Sequence, residues 1–578
     1  MDKIPLLSLL VFVPLAGMLA VLVLGKTKEV CRTISLATAV AVLAVSALAM
    51  SRFMGASQEG FVIGAFDRST LQPLHSVLHE GGAMGAEETT WFAVGGMAVH
   101  YDLDVDGFSI LLVALTGLIS VVAALASWNI DRSPRGYHSM LLLLVSAMMG
   151  TFVAMDLFLF YVFWELMLLP MYFLIGVWGG PRREYAAIKF FVYTLVGSVL
   201  ILGAFLAMFW SQKTLSIPEL LRGAPTIFGG EGEGAIRTAL FFALFIGFAV
   251  KVPVWPFHTW LPDAHVEAPT PISVILAAVL LKMGGYGLVR MAWPLFPDVV
   301  VEQGAFLATL AVISIVYGAL VAMAQQDWKK LVAYSSVSHM GYVLLGLTAL
   351  TAEGVGGAVF QMFNHGTISG MMFLLVGVMY DRVHHRDLNR FGGLLGMMPK
   401  YSVMAMIGFF AALGLPGLSG FISEVMVFLG AFKSDLMPHA KAFTLVATLG
   451  VVFGAVYILT MLQRVFLGTP KELPSSAAGA AAGHDEGHGD GGHGAAPADA
   501  GHGTAGHDAG HGGGGHGPYV PPKSPWPDLT PLEWATLGPL AAVTILLGVH
   551  PDLALRVFNP AVSALLLRME EVRKALGH

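Results

Sequence analysis

The sequence predicts an all-α, polytopic membrane protein of about fourteen transmembrane helices. Three observations lead there. Of 578 residues, 56% are hydrophobic and 12% charged, whereas a soluble protein carries about a quarter charged residues. The apolar residues gather in runs of helix length, not in the short alternating segments of a barrel. Those runs recur along nearly the whole chain, at 5–24, 31–50, 106–127, 138–154, 156–178, 186–210, 237–261, 271–292, 303–324, 330–350, 355–380, 401–432, 442–467 and 533–554.

The first run, 5–24, sits where a signal peptide would. It lacks a small-residue cleavage site and a second span follows closely, so it reads as a retained helix. Lys and Arg concentrate in the odd-numbered loops (Lys26 and Lys28, Arg132 and Arg135, Arg182 and Arg183, Lys329 and Lys330, Arg382 to Lys400, and Arg464 onward). By the positive-inside rule those loops are cytoplasmic and both termini lie on the outer side. A net charge of −6 favours no nucleic-acid partner, and the single Cys31 allows neither an internal disulfide nor a CxxC cluster site. Residues 51–105 form an outer-side loop whose chemistry is not legible. Residues 472–525 are rich in Gly, Ala and His and have no apolar period, which marks a disordered cytoplasmic linker. Its histidines, among them His484, His488 and His493, could chelate a metal, but a tolerated low-complexity insertion is the favoured reading, and no metal is assigned.

The chemistry lies in charges placed where charges are costly. A charge at the bilayer centre costs roughly 3 kcal/mol on insertion scales. Glu165, Lys251, Lys282 and Glu424 each sit deep inside an apolar run. Pro170 follows Glu165, Pro253 and Pro256 follow Lys251, Gly284 and Gly285 follow Lys282, and Pro416, Gly417 and Gly420 precede Glu424. Helices are therefore expected to break beside Lys251 and Glu424, and broken helices at that depth survive only where protein or water satisfies the freed backbone. A static buried pair could account for Glu165 and Lys251 alone; all four together point to ion or proton movement. His339, after a serine cluster, and His365, after Asn364, extend the line with side chains that exchange protons near neutral pH. Two hydrogen-bonded packing histidines remain the alternative. His258, Asp263, His265 and Glu267 gather just past Lys251. They either pass protons to and from water or cap and pin the loop.

Long motifs then carry a resemblance: FWELMLLPMY, KVPVWPFHTWLPDAHVEAPTPISVILAAVLLKMGGYGL, QQDWKKLVAYSSVSHMGY, FQMFNHGTISGMMFL and LPGLSGFISE. From about residue 100 to 467 the chain resembles the antiporter-like subunits of respiratory complex I and of Mrp-type cation/proton antiporters. Glutamate at 424, where many of these subunits carry lysine, and the short stretch after the last span resemble the M group of bacterial NADH–quinone oxidoreductase subunits, relatives of mitochondrial subunit 4. The resemblance implies two inverted five-helix repeats, each with a broken helix. The expected division is a two-helix segment and outer loop (1–105), a third span (106–136), a first repeat (137–292), a second repeat (293–467), the His/Gly-rich linker (468–532), and a last span with a tail (533–578).

It also implies roles. Glu165 modulates Lys251, Lys282 is the central relay, His339 and His365 continue it, and Glu424 is the terminal carrier. The chain is expected to be a multi-pass protein of the bacterial inner membrane, packed between other antiporter-like subunits in the lipid bilayer. It would bind no cofactor, with NADH, flavin, iron–sulfur clusters and quinone held by partners. The alternatives are a subunit of an Mrp-type Na⁺/H⁺ antiporter and a stand-alone solute transporter.

Overall fold

A computed structural model describes residues 5–58, 66–67, 72–73, 90–94, 97–230, 232–468 and 526–576. Polar residues start the helices where the apolar runs begin. Asp106 and Ser109 form a capping box at α3, Asp156 caps α5, Asp327 caps α16, Thr351 caps α17, and Thr530 with Glu533 boxes the start of α22. The helices run α1 (Leu6–Leu24), α2 (Lys28–Gln58), α3 (Gly107–Ala126), α4 (Pro134–Val153), α5 (Leu157–Leu166), α6 (Leu168–Trp178) and α7 (Arg183–Gln212). A short α8 (Ile217–Arg222) precedes α9 (Gly234–Lys251) and α10 (Trp260–Glu267). One long helix, 270–295, is built of α11 (Thr270–Ile275), α12 (Leu281–Gly287) and α13 (Trp293–Leu295), joined by π-helical turns at Leu276–Leu280 and Leu288–Ala292. There follow α14 (Pro297–Glu302), α15 (Gly304–Met323), α16 (Trp328–Ala349), α17 (Ala352–Val383), α18 (Leu394–Met397), α19 (Pro399–Ala412), α20 (Ser419–Lys433), α21 (Ala440–Phe466), α22 (Pro531–Val549) and α23 (Asp552–Ala575).

Thirteen helical stretches of the described residues are long and apolar enough to cross a membrane. The apolar run 401–432 is not among them because it is broken. Its halves, α19 and α20, have 14 and 15 residues and are separated by a loop whose Gly414 and Gly417 take φ of +77° and +94°, a conformation open to glycine. The other expected break also exists: α9 ends at Lys251 and α10 starts at Trp260. The outer-side loop holds two small antiparallel ribbons, Phe66–Asp67 with Gln72–Pro73 and Thr90–Val94 with Met97–His100. The expected tail is instead a helix, α23, which lies against α3 and α17. Its close approach needs Gly107: a Cβ there would lie 2.3 Å from the Val557 carbonyl oxygen. The His-rich linker, including His484, His488 and His493, lies outside the described residues apart from its two ends.

Burial sorts the helices into layers. The spanning windows of the 270–295 helix and of α17 are 100% buried and that of α16 is 94% buried, against 28% to 39% for α1, α2, α7, α21 and α22. The three central helices are thus screened by protein, while the peripheral ones leave apolar faces outward. The central three carry Lys282, His339 and His365.

Structural ion pairs are distinct from that line. Arg237 Nε and Nη2 donate to Asp298 at 2.7 and 2.8 Å, and its remaining donors reach the carbonyls of Ala224, Ile227 and Leu295. Arg382 likewise grips Glu533 with two bonds of 2.7 and 2.8 Å, tying α17 to α22. Removing one member of a buried pair strands the other and costs about 3–5 kcal/mol. Arg237→Leu should therefore sharply lower the yield and melting temperature of the assembled protein. Arg237→Leu combined with Asp298→Leu should recover part of the loss, read by thermal unfolding of purified membranes.

Candidate functional site

The functional side chains descend from the geometry of the central helices. Lys282 follows the π turn Leu276–Leu280, a local widening frequent at functional sites. Its Nζ donates to the Ala277 carbonyl oxygen at 2.5 Å and lies 2.6 Å from Nδ1 of His365 on α17. When Lys282 is an ammonium it has donors only, and Nδ1 of His365 is then the acceptor with the ring proton on Nε2. The His365 ring stands 5.7 Å, centroid to centroid, from the ring of His339 on α16. His339 Nδ1 is 3.4 Å from the Glu424 carboxylate on α20. His339, Gln361, His365 and Glu424 line a small cavity with about 10 Å³ of room for a water centre, enough for roughly one water molecule. Nε2 of both histidines is buried without a partner among the described residues. Lys282, His365, His339 and Glu424 thus form one line across four helices, each step a direct contact or one water long.

Lys251 and Glu165 are arranged differently. Lys251 ends α9, where the negative end of the helix dipole favours its charge. Its Nζ lies 4.8 Å from the Trp164 ring centre and 5.8 Å from that of Phe190, a cation–π enclosure. Glu165 is next to Trp164, one residue before α5 ends. Glu165 Oε1 and Lys251 Nζ are both enclosed and neither has a hydrogen-bond partner among the described residues. They attract through space without pairing. Between Lys251 and Lys282 the packing is tight and apolar: α9 meets α12 at Gly284, where a Cβ would lie 2.7 Å from the Phe248 carbonyl oxygen. The structure therefore brings together four of the six expected relay residues and holds the other two as a separate, unjoined couple.

The cluster after Lys251 divides into two. Its carboxylates are tied to cations near the α7 end: Asp263 receives Lys189 Nζ at 2.7 Å, and Glu267 receives the Arg182 backbone N–H at 2.9 Å. Its histidines turn inward. His265 stacks on Phe373 at 4.3 Å, and His258 meets Tyr317 edge-on at 5.2 Å. No ring nitrogen of either has a partner among the described residues. Among the described residues no group of three or more His, Cys, Asp or Glu could hold a metal ion.

Sequence reasoning passed over several polar groups at the site. Gln361 and Asn364 join Ser419 and Ser423 in a network beside Glu424. Gln361 lies four residues before His365, the spacing of one helix face, and that signal could have found it. Lys329, counted with the loop cations, is buried and donates to the Ala268 carbonyl at 2.6 Å. Below Lys282, Tyr286 and Arg290 continue the same face. Arg290 Nε donates to the Tyr286 hydroxyl at 3.0 Å and its guanidinium pairs with Asp106 at 2.9 Å.

Comparison with known proteins places this arrangement. Residues 154–452 match the family described as NADH:quinone oxidoreductase/Mrp antiporter. The chain is 41% identical over 490 residues to an NADH-quinone oxidoreductase subunit M of Rhodobacter capsulatus, covering 84% of this chain and 85% of the relative. It is 43% identical over 413 residues to an NAD(P)H-quinone oxidoreductase chain 4 of Synechococcus sp. (strain JA-2-3B'a(2-13)), covering 70% and 76%. Among solved structures it matches a chain of respiratory complex I from Thermus thermophilus with bound NADH, at TM-score 0.74 and 26% identity over 97% of this chain and 99% of that one. A chain of the Mrp complex from Dietzia sp. DQ12-45-1b shares the fold at TM-score 0.73 and 20% identity, covering 99% of each. The chain belongs to the NADH:quinone oxidoreductase/Mrp antiporter family of membrane subunits, in the group formed by subunit M and chain 4.

Proposed function

We propose that this chain is a proton-translocating membrane subunit of a bacterial NADH–quinone oxidoreductase. The observation that carries the reading is the line Lys282–His365–His339–Glu424, which runs through the three central helices to α20. The chain is a multi-pass protein of the inner membrane and packs beside other antiporter-like subunits. NADH oxidation, flavin, iron–sulfur clusters and quinone reduction belong, on this reading, to partner subunits, and this chain itself is built of two inverted repeats over 137–292 and 293–467. The Mrp reading has behind it the family model, which spans both groups, and the shared fold at 20% identity.

The chain's own residues then act as follows. Lys282 hands a proton from Nζ to Nδ1 of His365. His365 releases its Nε2 proton into the one-water cavity, and the proton reaches His339 and then Glu424. Lys251 is loaded or unloaded by Glu165, which approaches it or withdraws; Glu165 Oε1 and Lys251 Nζ carry no hydrogen bond among the described residues, and the Tyr161 hydroxyl is the group that shares the Glu165 carboxylate. Burial can move a lysine pKa by several units. Each unit is worth about 1.4 kcal/mol, and a proton needs about 2.3 kcal/mol per 100 mV of membrane potential. A swing of one or two units therefore matches the work of one transfer. His265 lies within electrostatic reach of both Lys329 and Lys282, and on this reading Lys329 and His265 supply the line.

Glu424→Gln keeps the shape and removes the terminal acceptor. Membranes carrying it should oxidise NADH more slowly and pump fewer protons per NADH than the parent; an unchanged ratio would remove Glu424 from the path. Lys251→Ala should also lose pumping, whereas Glu165→Gln, which spares the lysine, should lower the rate by about ten-fold or less, the worth of one pK unit. Proton uptake measured against NADH oxidation in inverted vesicles separates the three.

A further inference from the structure

The contacts around His339 contain a conflict that the relay alone does not explain. Two groups address the same ring nitrogen. Gln361 Nε2 lies 3.3 Å from His339 Nδ1, and Glu424 Oε1 lies 3.4 Å from it. An amide N–H needs a lone pair on Nδ1, whereas a carboxylate needs a proton there. Both demands cannot be met at once.

The surrounding network decides which demand is met. Asn364 Nδ2 donates to Ser423 Oγ at 3.2 Å, and to the Ser419 carbonyl at 2.9 Å. Ser423 Oγ donates to Gln361 Oε1 at 2.5 Å. With its oxygen held by Ser423, the Gln361 amide can only turn its NH₂ toward His339. His339 then accepts at Nδ1 and keeps its proton on Nε2. Ser423 has a second acceptor in reach, the Gly420 carbonyl at 3.0 Å. If Ser423 turns to it, the amide can rotate by half a turn, donate to Ser423 and offer its oxygen to an Nδ1–H. Both orientations leave every polar atom of Gln361 and Ser423 bonded, so the pair is bistable.

We infer that the Gln361 amide is a latch on His339 that lets a proton pass to Glu424 and then blocks its return. The proposal rests on the relay read above. With the amide rotated so that its oxygen faces the ring, His339 holds its proton on Nδ1 and exposes the Nε2 lone pair to the cavity shared with His365. The His365 Nε2–H bond breaks as the cavity water takes that proton, a water O–H bond breaks as the His339 Nε2–H bond forms, and the His339 Nδ1–H bond breaks as a Glu424 O–H bond forms. His339 is left neutral with its proton on Nε2. The Gln361 N–H then caps the Nδ1 lone pair, the one atom through which protonated Glu424 could give the proton back. Gln361 is a positioning residue: it carries no proton itself.

The groups that set the charge around His339 come from every packed helix. Glu424 faces it from α20, His365 from α17 with Lys282 behind it on the 270–295 helix, and Tyr342 from α16 itself. Tyr457 on α21 acts on Glu424. Tyr317 on α15 and His265 on α10 pack on His258 and Phe373 instead.

The test measures protons pumped per NADH in vesicles of the whole complex as the compartment receiving the protons is acidified, which loads Glu424 from outside. The parent ratio should stay nearly flat. Gln361→Met keeps the volume and removes the cap, and its ratio should fall by about two- to ten-fold over the same range, the worth of one net hydrogen bond. Ser423→Ala leaves the amide in place but frees its orientation, and its ratio should fall less and in the same direction. Either variant alone decides if the other does not assemble. A ratio as flat as the parent's in an assembled variant overturns the latch. Glu424→Gln is measured alongside: if it pumps at the parent ratio the relay reading fails, and if it loses pumping while Gln361→Met and Ser423→Ala stay flat, the latch alone fails.

Discussion

The contact between Lys282 Nζ and His365 Nδ1, 2.6 Å long and wholly inside protein, is the constraint from which the rest of the molecule follows. An ammonium removed from water must have acceptors, and lipid has none to offer. The fold supplies two, a π-turn carbonyl and an imidazole, by surrounding the helix that bears Lys282 with other helices along its whole length. While that lysine is an ammonium, His365 has one tautomer, its free nitrogen must meet a water or another proton acceptor, and His339 is the group across the cavity. Peripheral helices such as α7 and α21, which show apolar faces outward, exist on this view to keep lipid away from that contact.

The two broken helices serve the line in opposite ways. The first break leaves Lys251 at a helix end, held by rings and a dipole rather than by hydrogen bonds. Such interactions hold a charge without fixing its proton, which suits a group whose state must change. The second break places Glu424 against a loop of two left-handed glycines, where Gly414 leaves only 2.6 Å between a would-be Cβ and Glu424 Oε2. Glu424 is confined, and the amide and hydroxyl groups on α17 and α20 give its neighbourhood a definite hydrogen-bond direction. One half of the line is loosely held and the other is wired.

Much of this was legible in the residues because charge in an apolar run is so costly that its position is informative by itself. Glu165, Lys251, Lys282 and Glu424 stood out for that reason, and the prolines and glycines beside two of them announced the breaks. What the residues did not disclose depends on how helices turn against one another. Nothing in the spacing said that Asp263 and Glu267 would be taken by Lys189 and Arg182 while His258 and His265 turned inward. Gln361 looked like any polar residue on a buried helix until α20 brought Ser423 to it. The helix Asp552–Ala575 was missed because it is amphipathic rather than apolar, and a search for spans does not register such a segment.

The central claim is that ionisable groups in the core of this chain form one hydrated path, although the space between Lys251 and Lys282 is tightly packed in the present arrangement. Cryo-electron microscopy of the intact complex during turnover, at a resolution that shows ordered water, tests it most directly. The account predicts water density in the His365–His339 cavity in every state, and a turnover state in which water also joins Lys251 to Lys282. A region that stays dry and closed between those two lysines throughout turnover would contradict it.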